Sequence, residues 1–143
     1  MRPRSSSFRR PDSPVQSPMH RFALLEHVGA PDDPGGRHFD LLLEAGPACR
    51  TWRLMVVPTS GGDPVPAMEL PPHRLEWLER LAGEVSGGRG FARRVDAGSY
   101  ELLSCDADAL IAATAMVLDV DGEAVAGRLR LEMVGDGWAV RLA

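Results

Sequence analysis

The sequence predicts a mainly β fold: a small antiparallel β-barrel with one or two short helices and a disordered N-terminal segment. Short runs of alternating apolar and polar residues recur along the 143-residue chain, as expected for strands that bury one face. Turns that contain glycine separate these runs at short intervals. Many short strands joined by such turns are typical of small barrels and sandwiches, and the chain length suits a single core.

The first eighteen residues differ in composition from the rest of the chain. They are rich in proline, serine and arginine and hold no apolar run of the kind found in secretory signals. We therefore expect residues 1–18 to be disordered and residues 19–143 to form one domain. Met19, which opens the first strand-like run, is an alternative candidate for the start of translation.

Eight runs after Met19 have the pattern of strands. In chain order the predicted strands are Arg21–His27, His38–Glu44, Cys49–Val57, Gly90–Val95, Ser99–Leu103, Ala112–Val120, Ala124–Val134 and Trp138–Leu142. Three leucines at helical spacing predict a short helix over His73–Leu81. Glycine, proline and aspartate predict loops at Gly29–Gly36 and Ser60–Pro66, and Asp96-Ala97-Gly98 predicts a hairpin turn.

Charge and composition limit the classes of partner. The formal net charge is −4, and the basic N-terminal segment leaves the remainder more acidic still, which argues against broad attraction to nucleic acid. The chain has no lysine, so any cationic ligand for phosphate must be an arginine. No apolar run could span a bilayer, and Cys49 and Cys105 lack the paired spacing of a zinc or redox site. We expect a cytoplasmic protein with free thiols and no membrane contact.

The strand around Asp40 carries the main candidate site. Successive side chains of a strand point to opposite sides, so Phe39, Leu41 and Leu43 form the core face, and His38 lies beside Asp40 on the other. His27 ends the preceding apolar run. Two histidines and one carboxylate from neighbouring strands predict a three-ligand metal site with open coordination positions, which we expect at the mouth of the barrel.

Further candidates have competing structural interpretations. His73 begins the predicted helix, where a histidine with its hydrogen bonds satisfied within the fold is common, and Trp77 could stack on a nucleobase or pack in the core. The turn Ser86–Gly90 could present backbone N–H groups to phosphate. It could equally be a tight connection, and without a following helix it is not a P-loop.

An ordered series of residues runs through residues 22–143. It comprises His27, His38, Asp40, Trp52, His73, Trp77, Gly83, Gly87, Gly90, Gly127 and the closing segment Trp138–Leu142. Its order and spacing resemble the 3′-phosphoesterase module of bacterial DNA ligase D. The chain looks like a stand-alone relative of that module.

The resemblance implies a hydrolase that depends on manganese or another divalent metal and trims DNA 3′ ends during DNA repair. Such a protein removes a 3′ ribonucleoside and then the 3′-phosphate, acting on primer–template DNA at the bacterial nucleoid. A separate DNA ligase or other end-joining proteins are the implied partners. By resemblance, His27, His38 and Asp40 bind the metal, His73 contacts the phosphate, and Trp77 replaces a tyrosine.

The sequence departs from the family pattern at its cations. Leu42 stands where the family has an arginine, and Val56 stands where it has a lysine. Arg37, Arg53 and Arg89 are the candidate replacements as phosphate ligands.

Two other functions stay open at this point. A module without the family's cations could recognise DNA ends or a repair partner without catalysis. Alternatively, His38, Asp40 and His73 imitate the two-histidine, one-carboxylate triad of iron(II) oxygenases.

Overall fold

The computed structural model describes residues 19–104 and 109–143. The predicted disorder of residues 1–18 and the residue Cys105 lie outside the described residues. Within those ranges, no helix is long and apolar enough to cross a membrane.

The described residues form nine strands and one short 3₁₀ helix. These are β1 (Met19–Ala30), β2 (Asp33–Ala45), β3 (Ala48–Leu54), β4 (Val65–His73), the 3₁₀ helix (Leu75–Glu79), β5 (Ala82–Glu84), β6 (Phe91–Leu102), β7 (Ala115–Asp121), β8 (Ala126–Val134) and β9 (Gly137–Leu142).

Eight of the strands close into an antiparallel barrel. Their order is β1-β2-β3-β4-β9-β8-β7-β6, and pairing of β6 with β1 completes the ring. Strand β5 adds to one end of β6, where Ala82–Glu84 pairs with Phe91–Arg93. The prediction of a mainly β antiparallel barrel is confirmed.

The barrel interior is filled by alternate residues of its strands. Phe39, Leu41 and Leu43 of β2 lie in this main core together with Trp52, Trp138 and the inward residues of the other strands. A smaller cluster lies on the outer wall, where Leu78 of the 3₁₀ helix packs near Leu42. The wall of β1 and β2 is therefore covered on both faces, and the outer cover is the short helix.

Two predicted connections are strands in the structure. The prediction of a loop at Gly29–Gly36 was wrong, because β1 and β2 continue pairing as far as Ala30 and Asp33. Only Pro31-Asp32 forms the turn between them. The prediction of a hairpin turn at Asp96-Ala97-Gly98 was also wrong, because these residues lie within strand β6.

Asp96 has a structural role that explains its place inside a strand. Its carboxylate is buried and accepts hydrogen bonds from the backbone N–H groups of Glu123, Ala124 and Val125 in the β7–β8 turn. Gly98 allows β7 to approach, since a Cβ there would lie 2.1 Å from the Asp121 carbonyl oxygen. Both residues serve a tertiary contact that their local pattern does not show.

The segment after β3 also differs from expectation. Strand β4 was not predicted because its three prolines argue against a strand. The predicted helix at His73–Leu81 is reduced to a single 3₁₀ segment, and Leu81 is 69% exposed, so the three leucines do not share one buried face.

Candidate metal centre

The two predicted histidine ligands lie opposite each other on neighbouring strands. His27 of β1 is in register with His38 of β2, and Leu25 is in register with Asp40. These side chains lie on the outer wall of the barrel, on the same face as Leu42, and not at its mouth as expected. The reason is that the inward positions of β2 are taken by the apolar residues of the main core.

The ligand atoms of the three residues converge. His27 Nδ1 lies 3.1 Å from His38 Nε2, and Asp40 carboxylate oxygens lie 3.8 Å from His27 Nδ1 and 3.5 Å from His38 Nε2. Two nitrogens bound to one ion at about 2.1 Å, with a right or tetrahedral angle between them, are separated by about 3.0 to 3.4 Å. The spacing of the two imidazoles therefore fits ligands of a single divalent ion.

A hydrogen bond fixes which nitrogen of His27 is available. Its Nε2 lies 2.7 Å from the Arg89 carbonyl oxygen, which can only accept, so Nε2 carries the proton and donates. The lone pair of neutral His27 then lies on Nδ1, the atom that faces His38 and Asp40. A backbone carbonyl that orients a ligating imidazole in this way is a usual companion of protein metal sites.

The glycine-rich turn Ser86–Gly90 brings this carbonyl into position. Gly90 has φ +94°, and a Cβ there would lie 2.1 Å from the Val28 carbonyl oxygen, so the turn rests directly on the backbone of β1. The turn is closed by hydrogen bonds from Val85 N–H to the Gly90 carbonyl and from Arg89 N–H to the Val85 carbonyl. The turn thus contacts the site through the Arg89 carbonyl oxygen, which accepts a hydrogen bond from His27.

Burial prepares the site for a cation. It lowers the pKa of His38, which favours the neutral ring that a metal requires, and it raises the pKa of Asp40. Asp40 Oδ1 is buried and has no hydrogen-bond partner among the described residues. A buried carboxylate oxygen without a partner beside two imidazole nitrogens is what a bound divalent cation would satisfy.

The three residues lie at one side of a cavity of about 720 Å³. His27 and Asp40 line it, and His38 is buried behind them. The predicted substrate residues that also line the cavity are Arg53, His73, Trp77 and Arg89.

Arg37 is the one predicted phosphate ligand that the structure does not bring to this cavity. It lies on the opposite face of β2 from His38 and Asp40, where its guanidinium donates to Glu26 and lies 5.6 Å from the Phe39 ring centroid.

A group of three side chains in mutual contact lies on the cavity wall: His73, Trp77 and Arg80. The His73 and Trp77 ring centroids are 5.7 Å apart in an edge-to-face arrangement, and the Arg80 guanidinium lies 4.1 Å from the Trp77 centroid. His73 Nδ1 is 3.1 Å from the Pro71 carbonyl, to which it donates, so Nε2 is available to a ligand. Trp52 and Trp138 pack in the core, whereas Trp77 is partly exposed to the cavity.

The sequence analysis missed four charged residues of the cavity lining: Asp32, Arg74, Arg80 and Glu84. Arg74 and Arg80 flank the 3₁₀ helix that bears Trp77, and their nearness to His73 and Trp77 in the sequence was a usable signal. Asp32 gave none, because its place depends on the turn between β1 and β2, a segment predicted to be a loop.

No protein-family model matches the chain, and no curated protein is significantly similar to it. The fold and the site therefore define the protein by themselves as an antiparallel β-barrel with a candidate two-histidine, one-carboxylate metal centre on its outer wall.

Proposed function

We propose that the protein is a phosphoesterase that depends on manganese or another divalent metal and removes 3′-phosphate or 3′-ribonucleotide ends from DNA during repair. One observation carries the proposal: His27, His38 and Asp40 converge beside a cavity whose lining includes four arginines. These cations collect in one cavity although the chain as a whole is acidic. A phosphate ester held by arginine next to a divalent ion is the arrangement that phosphoryl chemistry needs.

The ligand set fits several divalent metals. Two imidazoles and one carboxylate leave open positions and suit manganese, iron or zinc, and a phosphate substrate favours the harder ions of that group. When bound, the metal would polarise a phosphoryl oxygen and lower the pKa of a coordinated water.

The chain's own residues supply the remaining functions. Arg53 and Arg89 would bind non-bridging phosphate oxygens and stabilise charge that develops on them. His73 keeps its Nδ1–H bond to the Pro71 carbonyl, so in its cationic form Nε2–H would donate to a phosphate oxygen or pass its proton to the leaving oxygen. Trp77 would pack against the terminal sugar or base.

The test is a labelled primer–template that ends in a 3′-phosphate or a 3′-ribonucleotide, incubated with and without Mn²⁺. Wild-type protein should convert both ends to a 3′-hydroxyl only with metal. Asp40→Asn should lose at least about 100-fold in rate, and Arg53→Ala should lose about 100-fold because one charge-stabilising donor is removed.

Arg37→Ala is the matched control for Arg53→Ala, since it removes the same charge outside the cavity. It should change the rate by less than about twofold. Inactivity of folded, manganese-loaded wild-type protein on both ends would contradict the proposal.

A non-catalytic module for DNA ends is the second candidate. The observation in its favour is that Leu42, in place of a family cation, is fully buried, and that Arg53 is already paired with Asp32. Binding of 3′-phosphorylated DNA without product would select this function. The oxygenase alternative was based on His38, Asp40 and His73, whereas the ligand atoms that converge with His38 and Asp40 belong to His27. Tightly bound iron with 2-oxoglutarate turnover would favour it.

A further inference from the structure

Arg53, which lies beside the candidate metal ligands, is paired with a carboxylate of the protein itself. Arg53 of β3 is in register with Asp40 of β2, on the same outer face. Its Nη1 donates to Asp32 Oδ2 at 2.6 Å, and both residues line the cavity. The β1–β2 turn thus reaches across the end of β2 to the arginine that the proposed function assigns to phosphate.

The two partners of this ion pair differ in their exposure to solvent. The Arg53 side chain is 18% exposed, and its Nε is buried without a hydrogen-bond partner among the described residues. The Asp32 side chain is 61% exposed and makes a single hydrogen bond to the guanidinium. Arg53 is therefore held by the barrel wall and keeps unused donor capacity, whereas Asp32 lies on the surface and is free to leave.

Asp32 is an anion at neutral pH. The hydrogen bond from Arg53 lowers the pKa of its carboxyl group below the ordinary value. A surface ion pair gives little net stability because water competes for both groups. A phosphate group offers two oxygens to the guanidinium fork and makes the stronger charge-assisted contact.

We propose that Asp32 is an internal counter-anion, which occupies Arg53 in the free protein and is displaced from it by the phosphate group of the substrate. The identity of the displacing anion as a phosphate ester rests on the proposed function; the Asp32–Arg53 contact does not. In the free protein, Asp32 offsets the Arg53 charge beside the metal ligands, and that makes the site more favourable for a cation. On phosphate binding, the incoming anion takes over this neutralising role.

The proposal predicts effects of opposite sign on two ligands. Without the Asp32 charge, Arg53 is free to bind an anion, and it also repels a divalent cation from the neighbouring Asp40 and histidines. A role for Asp32 in turn stability alone would move both affinities in the same direction or move neither.

The experiment measures binding of inorganic phosphate to the metal-free protein and, separately, binding of Mn²⁺, both by titration calorimetry. Asp32→Asn should bind phosphate about threefold to tenfold more tightly and Mn²⁺ about threefold more weakly than wild type. The double variant Asp32→Asn/Arg53→Gln should lose the gain in phosphate affinity.

Asp136→Asn is the matched control. It removes the same charge from an exposed residue of another hairpin turn, between β8 and β9, which does not line the cavity. It should leave both affinities within about twofold of wild type. An equal gain in phosphate affinity in Asp136→Asn would assign the effect to net charge and overturn the proposal.

The remaining outcomes separate this proposal from the proposed function. Unchanged or weaker phosphate binding in Asp32→Asn, or no phosphate binding by any variant, overturns the counter-anion role even if wild type processes 3′ ends. A gain that depends on Arg53 supports the counter-anion role even if no 3′ end is processed, in which case the proposed function alone fails.

Discussion

Asp40 is 7% exposed, and one of its oxygens has no hydrogen-bond partner among the described residues. Burial raises the pKa of this carboxyl group, since a charge is less stable away from water. Asp40 is therefore unfavourable for folding and favourable for binding a cation. Functional sites often carry residues of this kind at a cost in stability.

Asp40→Asn should stabilise the metal-free protein at neutral pH while it abolishes metal binding. A carboxyl group whose pKa is raised on folding stabilises the folded protein most below its unfolded pKa of about 3.8. This stability is lost as pH rises through the folded pKa, because the buried group becomes charged. The advantage of the variant over wild type should therefore grow between pH 4 and pH 7. Urea unfolding across this range, without metal, is the measurement.

Added Mn²⁺ should reverse this order. At a concentration 100-fold above its dissociation constant, the metal should add about 2.7 kcal/mol to the unfolding free energy of wild type and nothing to that of Asp40→Asn. If metal stabilises the variant as much as wild type, Asp40 is not a ligand.

The approach of two histidines to one carboxylate was predictable from local pattern, whereas the contact between Arg53 and Asp32 was not. The alternation of a strand places His38 beside Asp40 whatever the tertiary structure, and His27 precedes them at the distance of a hairpin partner. Arg53 reaches the site through its register with Asp40, and Asp32 through the turn between two strands. Register between strands depends on the packing of the whole sheet, and that information is not local.

The glycine-rich turn Ser86–Gly90 acts as a support for His27. Its backbone lies against β1 because Gly90 has no side chain, and this contact sets the distance from the Arg89 carbonyl to the imidazole. The glycine-rich sequence of this turn suggested backbone N–H groups that bind phosphate. In the structure, the turn instead contacts His27 through the carbonyl oxygen of Arg89.

Gly90→Ala should weaken Mn²⁺ binding by about tenfold or more, because a Cβ would push the turn away from β1 and remove the hydrogen bond that orients His27. Gly88→Ala is the matched control: it also places alanine at positive φ, but its Cβ would meet nothing within 4 Å. The control should lose some stability to backbone strain and keep its Mn²⁺ affinity. Equal loss of affinity in both variants would show that strain in the turn, and not the contact with β1, determines metal binding.

Strands with regular alternation were predicted well, and elements with conflicting signals were not. Strand β2 has an apolar face and a polar face, so its residues define it. Strand β4 contains prolines, which usually exclude a strand. Accordingly, its pairing with β9 is short and covers three residues, Val65–Ala67. Strand β6 contains a turn-like triplet that is held extended by the contacts of Asp96 and Gly98 with the β7–β8 hairpin.

The closed barrel requires its ends to be sealed as well as its walls. Arg50 of β3 is buried at one end of the interior, 4.8 Å from the Trp52 ring centroid and 5.3 Å from that of Trp138. It donates to Glu69 and to the carbonyl oxygens of Leu110 and Ala113. Arg50 therefore connects the core tryptophans to the loop that precedes β7.

Arg50→Ala should destabilise the protein by about 3 kcal/mol, because it leaves two carbonyl groups and a partly buried carboxylate without a donor. Arg21→Ala is the control, since it removes an arginine paired with glutamate on the exposed surface, and it should cost less than about 1 kcal/mol. Chemical denaturation gives both values. Similar costs for the two variants would contradict a sealing role for Arg50, and Mn²⁺ affinity should stay unchanged in each.

The candidate metal centre lies on the outer wall of a barrel whose interior is filled with side chains. Neighbouring residues of β2 are consequently expected to differ in role: Phe39 and Leu41 pack the core, whereas His38 and Asp40 belong to the candidate metal site. A saturation scan from His38 to Leu41 should alternate between two kinds of damage: loss of soluble protein at Phe39 and Leu41, and loss of metal binding by intact protein at His38 and Asp40. Insertion of a single residue would exchange the two sets and destroy both properties at once.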